Sequence, residues 1–190
     1  MAGRERSDSP RRVRMRLERR PSELLLGAGA VAGLPGLIGH RPAAVVLDNA
    51  VPHLHRGRLV GALRDAAGRP LPTRTLVGGE GVKQIGELDH VLRWLAGVGL
   101  PRDGALVGVG GGALLDLAGL AAALWARGVR FVAVPTTLLA QCDAAIGGKT
   151  AINVGGLKNP AGAFHPASHV LADPDFLATL PRREWRSGMA

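Results

Sequence analysis

Residues 105–126 read ALVGVGGGALLDLAGLAAALWA, and this stretch decides the fold. Its first five residues are apolar without alternation, which predicts a strand buried on both faces. Gly110, Gly111 and Gly112 end that strand, and residues 113–126 form an apolar helix with Gly119 as its single breaker. A strand that turns through glycine into a helix is half of a parallel crossover unit. The turn also has a chemical reading. Without Cβ atoms its backbone N–H groups can approach a diphosphate, and the amino terminus of the helix favours negative charge. The spacing is not that of G-x-G-x-x-G, so a tight turn with close helix–strand packing is the competing reading.

The same alternation extends in both directions. Residues 43–48 (AAVVLD) read as a buried strand ending in an acid, and 54–67 as a helix stopped by Gly68 and Pro70. Residues 73–77 form a strand closed by Gly78-Gly79; in 83–95, Ile85, Leu88, Val91, Leu92 and Leu95 share a helical face. Strands at 131–134 and 169–172 and a short helix at 175–180 follow, while 136–159 reads as a polar, glycine-rich loop. Upstream, 23–29 is a short apolar run and 12–18 alternates as an edge strand would. The fold class is α/β: a Rossmann-like parallel sheet with helices on both faces. Ligands of such sheets bind at the carboxyl ends of the strands, where the glycine-rich segments after Val77, Val109 and Val134 fall.

Composition narrows the function. The 190 residues suffice for one cored domain, no apolar run reaches a membrane span, and no secretory signal is expected from the arginine-rich start. One cysteine, Cys142, fits a reducing cytoplasm. The net charge of +9 suggests nucleic acid, but eight arginines put +5 of it in residues 1–20, and aromatics are only 3%. Neither a nucleic acid nor a membrane is expected as a partner. Residues 1–20 are expected to be a basic, disordered arm, 21–181 the α/β domain, and 182–190 the start of a further helical segment. Of 24 basic residues only Lys83, Lys149 and Lys158 are lysines, all in glycine-containing segments. A compact ammonium is not interchangeable with a guanidinium at phosphate or in a tight pocket.

Several polar groups fall at strand ends. Glu80 and Lys83 follow Gly78-Gly79, where the acid can accept from a ribose and the cation can lie near phosphate. Thr136-Thr137 can bond a ligand or cap the next turn. Gly147-Gly148-Lys149-Thr150 looks like the end of a P-loop, but the leading glycine and preceding strand are missing, which excludes a nucleoside-triphosphatase reading. What survives is Lys149 on flexible backbone near the carboxylate of Asp143, with Lys158 and Asn159 a few residues on, suited to a phosphate beside a hydroxylated carbon. The six histidines form no metal-spaced pair on a helix, His53 and His55 read as solvated, and no metal site is visible.

Together, GGGALLDLAG (110–119), RGVRFVAVPTTLLAQCDAAIGGKTAIN (127–153), LKNPAGAFHP (157–166), DPDFLATLP (173–181) and RREWRSGMA (182–190) resemble 3-dehydroquinate synthase, within the sugar-phosphate cyclases. The resemblance is dense from residue 78 onward and general in layout over 1–40. It implies a lyase of the shikimate route to aromatic amino acids. Such an enzyme uses NAD and a divalent metal, zinc or cobalt, to convert 3-deoxy-arabino-heptulosonate 7-phosphate into 3-dehydroquinate with loss of phosphate. It also implies a cytoplasmic homodimer. Carried over by position, NAD would meet Glu80, Lys83, Gly111, Gly112, Ala113, Asp116, Thr136, Thr137, Lys149, Lys158, Phe176 and Thr179. Asp143, Lys149, Lys158 and Asn159 would act on the substrate, and Arg127 would reach the partner subunit's phosphate.

The chain departs from the pattern at Leu115, where the family often has glycine and a side chain is expected to crowd the dinucleotide. Gly81-Val82 and Pro160 also differ. The metal ligands, a glutamate and two histidines, are expected past Ala190 in an all-helical domain, so the fragment is expected to be inactive alone. Three other readings compete. A related cyclase would act on an amino-dehydroquinate, valiolone or inosose type of substrate, but GGKTA and KN favour the synthase. The others are a non-catalytic NAD-binding remnant and, weakest, a nucleic-acid binder working through the arm.

Overall fold

The computed structural model describes residues 9–16, 21–51 and 53–189. Nine strands lie along it: β1 (Arg11–Arg16), β2 (Pro21–Leu26), β3 (Ala43–Asp48), β4 (Thr73–Leu76), β5 (Ala105–Gly110), β6 (Arg130–Pro135), β7 (Lys149–Val154), β8 (Leu157–Phe164) and β9 (His169–Ala172). The helices are α1 (Leu34–Ile38), α2 (His53–Ala62), α3 (Ile85–Val98), α4 (Gly112–Leu124) and α5 (Arg182–Met189). Seven strands form one sheet in the order β1-β2-β9-β6-β5-β3-β4, and β7 and β8 form a separate hairpin. All pairings in the large sheet are parallel except β1 with β2.

Unbroken apolar strands are explained by burial on both faces. Ala44, Val46, Leu106, Ala133 and Val170 meet Leu88, Val91 and Leu95 of α3 and Leu114 and Leu117 of α4. The alternate residues Val45, Val107, Val132 and Leu171 meet Leu34 and Ile38 of α1 and Leu59 of α2. Helix α3 is apolar on one face only, since its other face is solvated. Helix α4 is apolar nearly all round because the sheet lies under it and the β7–β8 hairpin lies over it. At that second contact a Cβ on Gly119 would stand 2.4 Å from Thr150 Cγ2, so the breaker seen in the sequence is a close-approach site.

Four expectations change. Of the arm expected at 1–20, residues 1–8 and 17–20 lie outside the described residues, but Arg11–Arg16 is a strand and not disordered. Alternation sets Arg12 and Arg14 against Glu23 at 3.8 and 3.4 Å, while Met15 packs on the core. The glycine-rich loop expected at 136–159 holds a one-turn π-helix (Ala140–Ala144) and the first strand of the hairpin. Its period-two pattern is hidden because a polar residue, Thr150, fills a buried position, apolar Ala151 and Val154 fill less buried ones, and a register shift follows Ile152. Leu115 is 2% exposed and lies against Gly108 in β5, so it points under the glycine turn instead of crowding a dinucleotide. His55 is buried, not solvated. No helix among the described residues is long and apolar enough to cross a membrane.

The Gly119 contact yields a stability prediction. Gly119→Ala should lower the melting temperature, because overpacking costs ~1–3 kcal/mol against a gain in helix propensity of ~1 kcal/mol. Adding Thr150→Ser, which deletes the opposing methyl, should recover most of the loss. A single substitution that stabilises the protein would show that the hairpin does not press on α4.

Candidate functional site

The chain passes from β3 outward to β4 and returns to the other side of β3 as β5. The order therefore reverses between β3 and β5, and a crevice opens beyond their carboxyl ends. Asp48 ends β3, is 7% exposed, and accepts the Ala50 N–H at Oδ1 over 2.8 Å. Glycine is needed on both sides of it. A Cβ on Gly78 would lie 2.2 Å from each carboxylate oxygen, and one on Gly110 would lie 2.8 Å from Asp48 Cβ. The next two glycines meet the loop after β6. A Cβ at Gly111 would stand 3.2 Å from Thr137 Cγ2, and one at Gly112 3.2 Å from Ala144 Cβ.

Thr136 N donates to Gly110 O at 3.0 Å, and Thr137 Oγ1 accepts from Ala140 N at 3.3 Å, so this hydroxyl does cap the following turn. No side chain caps α4, so its first N–H groups have no side-chain acceptor. A backbone cradle free of Cβ atoms at a helix amino terminus fits a dinucleotide diphosphate.

Beside the cradle lies a polar cluster. Lys83 has a 3% exposed side chain, and its Nζ stands 2.6 Å from Asp116 Oδ2 on α4. Nζ also donates to Asn159 Oδ1 and lies 3.9 Å from Glu80 Oε1. Burial pushes the Asp116 carboxyl above the usual carboxylate range, against the downward pull of the Lys83 ammonium. Lys158 lies close enough to contribute in the same direction as Lys83. Lys149 opens β7 and is exposed, as are Asp143 and Arg127. Arg127 sits with φ 63 after Ala126 at φ 47, in a turn that carries it out from the end of α4.

The far wall comes from residues 173–180. Thr179 Oγ1 is 2.8 Å from His55 Nε2, and the His55 ring meets Phe176 edge to face at 5.1 Å. Burial, with the nearby Arg58 cation, lowers the His55 pKa from its ordinary 6.5, so the ring is neutral at neutral pH. Gln141 ties this wall to the threonine loop, since its Nε2 donates to Pro135 O at 3.1 Å and Asp173 O at 2.9 Å.

The structure thus gathers Glu80, Lys83, Asp116 and Asn159 into one cluster and places Gly111, Gly112, Thr136 and Thr137 at the adjoining cradle. Asp48, Gln141 and Asn153 escaped the sequence reading as site residues. An acid ending a buried strand was the available signal for Asp48; nothing local marks the other two. Among the described residues no three His, Cys, Asp or Glu side chains gather to hold a metal.

The family model for the 3-dehydroquinate synthase N-terminal region matches residues 73–187. A 3-dehydroquinate synthase from Thermobifida fusca (strain YX) is 39% identical over 170 residues, covering 90% of this chain and 46% of that protein. A solved 2-deoxy-scyllo-inosose synthase, complexed with carbaglucose-6-phosphate, NAD+ and Co2+, superposes with a TM-score of 0.84 at 26% identity, over 94% of this chain and 49% of its own. The 2-epi-5-epi-valiolone synthase from Streptomyces hygroscopicus subsp. jinggangensis 5008, with NAD+ and Zn2+ bound, gives a TM-score of 0.77 at 33% identity, over 92% and 49%. The chain spans about half the length of the relatives it matches.

Two measurements check this geometry. Asp116→Ala leaves a buried ammonium without its counter-charge and should destabilise the chain by ~3 kcal/mol. Adding Lys83→Met should return much of that, and strictly additive losses in denaturant melts would contradict the pairing. The depressed His55 pKa contributes stability that is complete above its unfolded value of 6.5 and is lost as pH falls through the lower folded value. His169 shares the direction, again through burial. The melting temperature should therefore fall on acidification below pH 6.5, and His55→Gln should flatten, but not abolish, that slope.

Proposed function

This chain belongs to the 3-dehydroquinate synthase N-terminal family, and from that membership we propose that it is the dinucleotide-binding half of a 3-dehydroquinate synthase. The observation that carries the reading is the crevice at the sheet's switch point. There Asp48 is flanked by Gly78 and Gly110, and the uncapped start of α4 lies beside the Lys83 cluster. Identity to synthases (39%) exceeds that to the inosose (26%) and valiolone (33%) cyclases, which favours the synthase over its relatives.

In this reading the backbone of Gly111 to Ala113 and the Thr136 and Thr137 hydroxyls hold the NAD diphosphate. Asp48 and Glu80 accept from ribose hydroxyls, and Lys83 and Asp116 line the nicotinamide end. Thr179 and Phe176 close the opposite end, with His55 fixing the Thr179 hydroxyl. When bound, NAD supplies reversible oxidation of a ring hydroxyl, which acidifies the neighbouring C–H.

Asp143, Lys149, Lys158 and Asn159 stand toward the substrate, 3-deoxy-arabino-heptulosonate 7-phosphate. The two exposed ammonium groups hold its phosphate and oppose the charge that develops as it leaves. Arg127, carried outward by its turn, reaches the phosphate of a partner subunit in a homodimer. The residues for a divalent ion, zinc or cobalt, are assigned to the half of the relatives that this chain does not span, so no step here runs through a metal. Action in the cytoplasm and a place in aromatic amino acid synthesis belong to the same proposal.

Calorimetric titration with NAD should give saturable binding to this chain, with quenching of Trp185, whose Nε1 donates to Leu177 O beside the Thr179 wall. Gly110→Val should abolish it. Co-expression with the carboxyl-terminal half of the Thermobifida fusca relative should yield phosphate release from the heptulosonate phosphate. Absence of NAD binding at millimolar concentration by a folded sample would sink the reading.

A further inference from the structure

The hairpin over α4 is irregular at one point. Ile152 pairs with Ala161 and Val154 with Leu157, so Asn153 alone on β7 stands opposite Lys158, Asn159 and Pro160 on β8. Such a bulge re-aims side chains and interrupts the ladder, leaving backbone groups to be satisfied otherwise. It also bends Asn159 to φ 59, a left-handed conformation that Asn tolerates better than most residues. The two bulged polar residues, Lys158 and Asn159, are among those assigned to the substrate.

Asn153 makes good what the bulge breaks. Its Oδ1 accepts the Asn159 N–H at 2.9 Å, in place of the missing ladder carbonyl. Its Nδ2 donates to Glu80 Oε1 at 2.9 Å, and its own backbone N–H donates to Lys83 O at 2.7 Å. The amide orientation is fixed by these neighbours, because only an oxygen can face an N–H and only an NH2 can face a carboxylate. A fourth bond runs from Lys83 Nζ to Asn159 Oδ1. The loop after β4 and the bulge, separated by more than seventy residues in sequence, are thereby joined by the Asn153 side chain and backbone together with the Lys83 ammonium.

We infer that Asn153 is a positioning residue that locks the Glu80–Lys83 turn to the Lys158–Asn159 bulge, so that the dinucleotide and substrate sides of the site hold one geometry. The inference rests on the proposed function for what the two sides bind. The lock itself is a property of this chain and is read without any ligand.

The test uses this chain and two readouts. The first is hydrogen exchange at the Asn159 amide. Asn153→Ala should speed its exchange at least about tenfold, the size of one lost hydrogen bond, with the rest of the hairpin still protected. Asn153→Asp keeps the acceptor and should leave it slow.

The second readout is NAD affinity. Asn153→Asp sets a carboxylate against Glu80 and should weaken binding about tenfold. In a Glu80→Gln background, where the Gln amide donates to Asp, the same change should cost less than about threefold. A general loss of fold would not depend on residue 80. Unchanged Asn159 exchange in Asn153→Ala, or equal losses of affinity in both backgrounds, overturns the inference. If unsubstituted protein binds no NAD, the functional reading fails, and the exchange result alone decides the lock.

Discussion

A buried ammonium must be paired, and much of the site's architecture follows from the pairing of Lys83. Its side chain is 3% exposed, and its partners come from three separate parts of the chain. Asp116 is presented by the second turn of α4, Asn159 by the bulge of β8, and Glu80 by the turn after β4. Removing a charge from water costs several kcal/mol unless such partners are held in place. The loop after β4, the glycine-turn helix and the hairpin therefore cannot settle independently. The arrangement has a cost for Asp116, whose carboxyl is pushed upward by the burial that brings it to the lysine.

The glycines are the complementary constraint. Polar partners can converge at the carboxyl edge of the sheet only if backbones approach closely there. At Gly78, Gly110 and Gly119 a single added carbon would meet a neighbour at 2.2, 2.8 and 2.4 Å. Gly78 and Gly110 bracket the Asp48 carboxylate, whereas Gly119 lets the hairpin sit down on α4. The hairpin in turn brings Asn159 to Lys83 and Lys158 near Asp116. A glycine in the middle of a helix thus bears on the site as directly as the glycines of the turn, through packing alone.

Most of the layered fold was legible because burial on both faces leaves an unmistakable mark. The strands at 43–48 and 169–172 fall where unbroken apolar runs put them, and β5, α4 and β6 shift by a residue or two. Among the candidate residues, Glu80 and Lys83, which the sequence singled out after Gly78-Gly79, do converge, with Asp116 and Asn159 as their neighbours. What stayed hidden depends on pairing between distant segments. The β7–β8 ladder is masked by a bulge that breaks its period, and Asn153 carries no local signature because its three partners lie in two other segments. Leu115 misled for a local reason. Comparison by position suggested a clash, but helical rotation turns its side chain down onto Gly108. His55 looked solvated beside His53 until the strand-end wall of Phe176 and Thr179 covered it.

The use of lysine at only three positions acquires a physical reason. Of 24 basic residues 21 are arginines, and among the described ones Arg12, Arg14, Arg69 and Arg93 stand on exposed surface in ion pairs. Lys83 stands where donors must radiate from one atom to a carboxylate on a helix and an amide on a hairpin, with a second carboxylate nearby. A tetrahedral ammonium meets that geometry, whereas the planar guanidinium fork presents its donors to one side and needs more room. Lys149 and Lys158 lie on the hairpin and remain exposed. A compact, strongly hydrated ammonium grips an anion less firmly than a bidentate guanidinium fork does. The same ammonium chemistry thus appears once as an internal rivet and twice as an open contact. What separates the two uses is the bulge at Asn153, which turns Asn159 inward to Lys83 and leaves Lys158 in solvent.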